Sequence, residues 1–167
     1  RGMTAMREAM RDAPDISARV VLGGKLSGYV GRYPGVLEEA LLDLRSGRPL
    51  FLVGAFGGAA RLVCEALRGQ TREELTTAWV AGENENGQPR NPFYIQVKQI
   101  NIDNGIEMKT PEELGAEFAV MGENGVSAAL RNGLNDSEND ELVVVTDPRR
   151  IVELITTGLR RLYSIAP

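Results

Sequence analysis

The chain has 167 residues, 43% hydrophobic and 25% charged, with a formal net charge of -4, a composition that fits one globular domain spanning residues 1–167. The acidic balance argues against nucleic acid as a partner, because phosphate neutralisation needs clustered Lys and Arg. The absence of His and the single Cys64 exclude zinc sites, His-based triads and a disulfide framework, and point to a reducing, cytoplasmic setting.

No run approaches the roughly 18 apolar residues of a spanning helix, so no membrane partner is expected. No cofactor is expected either, although magnesium held by carboxylates stays open. Met3, Met6 and Met10 recur at helical spacing and predict an amphipathic helix over 4–12, ending near Pro14. Arg7 and Arg11 share one side of it, either as a solvated basic edge or with an arginine facing an anion. Ala18 to Leu22 reads as a buried strand of a parallel sheet, stopped by Gly23-Gly24. Ligands of open α/β sheets bind beyond the carboxyl ends of strands, which places Gly23, Gly24 and Lys25 at such an edge.

Residues 25–33 form a glycine-containing loop bearing Tyr29 and Tyr33. Pro34-Gly35 then opens a helix through about Ser46, with Val36, Ala40, Leu41 and Leu44 as its buried stripe and Gly47 as its stop. Glu38 and Glu39 occupy its first turn, where the helix dipole favours carboxylates; they could instead meet ribose hydroxyls. Pro49 to Val53 is a second strand, and GAFGG at 54–58 turns into a helix striped by Ala60, Val63, Cys64 and Leu67. Such a turn either allows packing or lets an anion approach the free amides of Gly57 and Gly58.

Thr71-Arg72-Glu73-Glu74 has the form of a capping box and predicts a helix to about Ala81, with Trp79 packed on it or stacking on a base. Phe93 to Ile102 alternates partially and reads as a hairpin or edge flap. Thr110 and Pro111 start a helix to about Met121. A short helix over 125–132, a solvated acidic loop over 135–141 and a third buried strand over 142–145 follow. Asp147 and Pro148 open the last helix. Alternating strands and helices make the class α/β, a Rossmann-like parallel sheet flanked by helices.

The order MTAMREAM, ARVVLGG, YPGVLEE and RPLFLVG resembles the SLOG superfamily. That superfamily joins LOG-type (lysine-decarboxylase-like) phosphoribohydrolases to nucleotide-sensing domains of bacterial conflict systems. The Gly-Thr that precedes the paired glutamates in LOG enzymes is missing here, and the helix arginine is shifted. The resemblance therefore implies a sensor of a nucleotide or a cyclic ADP-ribose-like molecule that regulates an effector in bacterial defence. It assigns the ligand to Gly23, Gly24, Lys25, Tyr29, Tyr33, Gly35, Glu38, Glu39, Gly57, Gly58 and Arg61. The alternative is a phosphoribohydrolase cleaving the N-glycosidic bond of nucleoside monophosphates, with Arg7 and Glu39 catalytic. The resemblance also implies a homodimer, and further strands of the sheet upstream of the Arg7 helix.

Overall fold

The computed structural model describes residues 2–164. Strands β1 (Arg19–Leu22) and β2 (Leu50–Val53) pair in parallel, from Arg19 opposite Leu50 to Leu22 opposite Val53. The helices among the described residues are α1 (Gly2–Asp12), α2 (Gly35–Ser46), α3 (Gly58–Leu67), α4 (Thr77–Ala81), α5 (Tyr94–Asp103), α6 (Pro111–Met121), α7 (Val126–Leu130), α8 (Asp136–Val144) and α9 (Pro148–Tyr163). The fold is α/β. The link from β1 to β2 runs through α2, as parallel pairing requires a crossover.

All four residues of β2 are buried, and their alternation divides the core. Leu50 and Leu52 pack with Leu37 and Leu41 of α2, Val63 and Leu67 of α3 and Phe118 of α6. Phe51 and Val53 pack with Leu142 of α8 and Leu154 of α9. This is the continuous burial expected of a parallel strand with helices on both faces. β1 is asymmetric. Val21 joins the first core, whereas Val20 and Leu22, on the other face, are 43% and 56% exposed. Among the described residues β1 is paired on one edge only.

Several boundaries agree with the sequence. α2 starts after Pro34 and is stopped by Gly47 in the left-handed conformation. The Thr110 hydroxyl accepts from Glu113 N, Glu113 returns the bond to Thr110 N, and Pro111 fills the first position of α6. Asp147 caps α9 and Pro148 begins it.

Four expectations are corrected. Thr71 caps nothing: Glu74 is held by Arg72, residues 73–75 make a single 3-10 turn that buries Leu75, and the cap of α4 is Thr76, which accepts from Trp79 N. Residues 94–103 are helix rather than hairpin. Tyr94, Val97 and Asn101 recur at helical spacing on the inward side, while the strand-like Ile95, Ile100 and Ile102 point outward. The acidic stretch after Asn135 is also helix, because Asn135 and Glu138 form a capping box and the first-turn acids suit the helix dipole. Residues 142–145 are consequently no third strand. Leu142 is fully buried and Val144 is 68% exposed, a helical phase, and the carbonyl of Leu50 in β2 accepts from the Asn132 amide at 3.0 Å.

Cys64 lies in the first core, where burial pushes its thiol pKa up to about 12. Native protein at pH 8 should therefore leave a thiol reagent unreacted, with one equivalent consumed only on unfolding in denaturant.

Candidate functional site

The carboxyl ends of β1 and β2 are joined by direct backbone contact. After Leu22 the chain turns at Gly23 and Gly24, and after Val53 it makes a 3-10 turn before α3 begins at Gly58. Ala59 N donates to Gly24 O at 3.0 Å and Ala60 N donates to Gly23 O at 2.8 Å. A side chain at Gly58 (φ +63°) would strike the carbonyl oxygen of Gly24, and one at Gly24 (φ +95°) would come within 2.7 Å of Val36 Cβ in the first turn of α2. Glycine is thus required here for close approach. Gly57 N is used by Gly54 O, whereas the Gly58 N–H has no carbonyl partner among the described residues.

The N-termini of α2 and α3 therefore converge on one glycine turn, with their positive dipole ends toward it. Lys25 follows that turn directly and is exposed. Lys109 is paired with Glu117 at 2.9 Å, but Lys25 has no such partner among the described residues. Arg61, in the second turn of α3, is exposed and donates to Glu65 Oε1 at 3.0 Å. Glu65 is also gripped by Arg72 at 2.6 Å, which leaves Arg61 the more readily released cation of that trio.

A second group links α1 to α2. Arg7 is buried, and its Nη1 donates to Glu38 Oε2 at 2.6 Å while the Thr4 hydroxyl donates to Glu38 Oε1 at 2.8 Å. Arg7 Nε lies 3.5 Å from Glu39 Oε1 and makes no hydrogen bond. The guanidinium lies against Gly35, where a Cβ would be 2.7 Å from Nη2. Arg19 of β1 donates to Glu39 Oε2 at 2.9 Å and to the fully buried Asp43. The Glu38 side chain is 3% exposed and that of Glu39 24%. The structure brings Arg7, Gly35, Glu38 and Glu39 together. Arg19 and Asp43 complete the group and were not visible in the sequence, where Asp43 is simply a polar residue within a helix. Arg11 stays outside, paired with Asp12.

Tyr29 and Tyr33 face a third feature, a narrow crevice of about 20 Å³ walled also by Leu26, Leu37, Leu62 and Tyr94, with room for about one water. Burial pushes both phenol pKa values upward. The Tyr33 hydroxyl accepts from Lys109 N at 2.9 Å. Trp79 is not part of this wall; the Arg90 guanidinium stacks 4.8 Å from its ring centroid. Tyr94 escaped the sequence reading because its segment was read as strand. Among the described residues no cluster of three or more His, Cys, Asp or Glu side chains could hold a metal, and no helix is long and apolar enough to cross a membrane.

The family model described as SLOG cluster2 matches residues 1–142, which include all three features. No curated protein and no solved structure matches the chain.

The Arg7 and Glu38 pair should behave as structure. Arg7→Met leaves a buried carboxylate short of its main partner and should cost about 3 kcal/mol in urea unfolding. The double change Arg7→Met with Glu38→Gln should cost less than the sum of the two single changes. An Arg7→Met protein as stable as the wild type would show that the pair does not hold α1 to α2.

Proposed function

The chain belongs to the SLOG cluster2 family, and from that premise we propose that it binds a nucleotide-derived ligand as a sensor module rather than hydrolysing it. Phosphate would sit at the glycine turn, against the Gly58 N–H and the two helix N-termini, with Lys25 and a released Arg61 as counter-charges. The base would lie between Tyr29 and Tyr33, and Glu39, the more exposed of the two carboxylates, would accept from a ribose hydroxyl.

The ion network is the observation that carries this reading. Cleavage of an N-glycosidic bond needs a carboxylate free to face the anomeric carbon. Glu38 is sealed between Arg7 and Thr4, and Glu39 lies between Arg7 and Arg19. Their charge is already spent on arginines. The groups left uncommitted at this end of the sheet, Lys25 and the Gly58 amide, suit an anion and do not supply the carboxylate that such a cleavage needs. The bound state would then be passed to an effector on the same protein or in its complex, in a setting such as bacterial defence.

Nucleoside monophosphates incubated with the protein should release no free base by chromatography. Base release that Glu39→Gln abolishes would replace the sensor reading with the phosphoribohydrolase. In calorimetry with a panel of nucleotide second messengers, the ligand that binds should lose about tenfold in affinity, about 1.4 kcal/mol, on Lys25→Ala. An unchanged affinity would move the phosphate away from the glycine turn.

A further inference from the structure

The crevice that would receive the base is shut. Its volume of about 20 Å³ is far below the roughly 300 Å³ at which ligand pockets begin. Three of its walls cannot yield, since Leu37 of α2, Leu62 of α3 and Leu114 of α6 are all part of the first core. Leu75, Val80 and Tyr94 add helical walls, and the longest irregular stretch of the lining is the segment 25–33, which has neither helix nor strand and exposes Ser27, Gly28 and Val30.

That segment is pinned to the rest of the molecule near its middle and at its end. The Gly28 N–H donates to Asn91 Oδ1 at 2.8 Å and to Arg90 O at 2.9 Å. The Tyr33 hydroxyl accepts from Lys109 N. Asn91 is buried, and its amide donates to Val80 O at 3.0 Å, so it ties the segment to α4 on the far side of the crevice. Gly28 holds φ +67° with nothing within 4 Å of a Cβ placed there. Its anchor therefore depends on a left-handed backbone and two hydrogen bonds, not on packing.

We infer that residues 25–33 are a strap sealing a ring-binding crevice, and that the flat base of a nucleotide enters only when Gly28 releases Asn91. The inference rests on the reading of Tyr29 and Tyr33 as the base contacts. The strap has two working sides. Tyr29 and Tyr33 close the crevice, while Val30, Gly31 and Arg32 line an open groove with Thr4 of α1 and Val97 and Ile100 of α5. Lifting the strap to admit a ring thus reshapes a second surface, which gives occupation of the crevice an outward consequence. Because the closed form is not competent to bind, the apparent affinity is reduced by the fraction of molecules that are closed.

The test is hydrogen exchange by mass spectrometry on wild type, Asn91→Ala and Gly28→Ala. Asn91→Ala removes the side-chain acceptor. Gly28→Ala strains the closed backbone and leaves Asn91 and its bond to Val80 in place, which covers the case in which the Asn91 variant folds poorly. Without ligand, amides of 25–33 should exchange at least about tenfold faster than those of α2 and α3, and both variants should speed them by about a further tenfold with the core unchanged. With millimolar AMP as the probe, binding should abolish protection at Gly28, and both variants should bind more tightly than wild type. Strap amides as protected as the core, or variants that leave their exchange unaltered, would overturn the gate. So would AMP binding with Gly28 still protected, a result that leaves the ligand reading standing. If AMP binds none of the three proteins while the strap exchanges as expected, the strap opens but admits no base, which overturns the entrance for AMP and counts against Tyr29 and Tyr33 as base contacts.

Discussion

The contact on which the rest depends is the pair of hydrogen bonds from Ala59 and Ala60 to the carbonyls of Gly24 and Gly23. These bonds satisfy two of the four amides that a helix start leaves without partners, and they do so with backbone from the neighbouring strand. One interaction therefore fixes the ends of β1 and β2 together and sets where α3 begins. Val36 rests on Gly24, so the start of α2 is set by the same turn. The strap leaves from Lys25 immediately afterwards. Any side chain at Gly24 or Gly58 would separate these parts, and with them the dipole ends, the lysine and the hinge of the strap.

The ion network does different work. Taking Arg7, Glu38 and Asp43 out of water is costly, and their mutual attraction offsets that cost only where hydrogen bonding is nearly complete. Here it is incomplete at two atoms, Arg7 Nε and Asp43 Oδ1. The network is better understood as fixing position than as adding much stability. α1 is attached to the domain through contacts with α2, and its methionines Met3, Met6 and Met10 are all substantially exposed. Without the buried arginine little apolar packing would hold that helix in one orientation.

Legibility followed the strength of the local signal. β1, β2, α2 and α3 could be read because short apolar runs ended in glycine turns and the helices carried clear apolar stripes, although β1, read as a buried strand, buries only Val21. α5 could not, since its isoleucines lie on the outside and its inward side is Tyr94, Val97 and Asn101, one of them polar. α8 was missed because Leu-Val-Val-Val imitates a buried strand for four residues; the capping box at Asn135 that decides the matter lies seven residues before it. In the candidate site, motif order put Arg7 and Glu39 side by side only under the hydrolase alternative, and the Arg7 to Glu38 pair itself was not read. Nor were other contacts distant in sequence: Arg19 reaches Asp43 across 24 positions and Gly28 reaches Asn91 across 63, and no local pattern encodes either.

The paired glutamates show how packing alone can account for a motif. In the first helical turn after Pro-Gly Glu38 suits the dipole, and once Arg7 is buried against it neither partner can be removed alone without stranding a charge. Packing is then enough to keep the pattern Pro-Gly-Val-Leu-Glu-Glu in place whether or not a carboxylate ever meets a sugar. What distinguishes the two situations is the number of partners each oxygen already has. Both oxygens of Glu38 accept a hydrogen bond, and Glu39 is shared between two guanidinium groups. A base or nucleophile needs a lone pair directed at the substrate, and these are directed at Arg7, Arg19 and the Thr4 hydroxyl. The motif therefore marks where α2 begins, while the partners that occupy its carboxylates, Arg7 and Arg19, come from elements outside it.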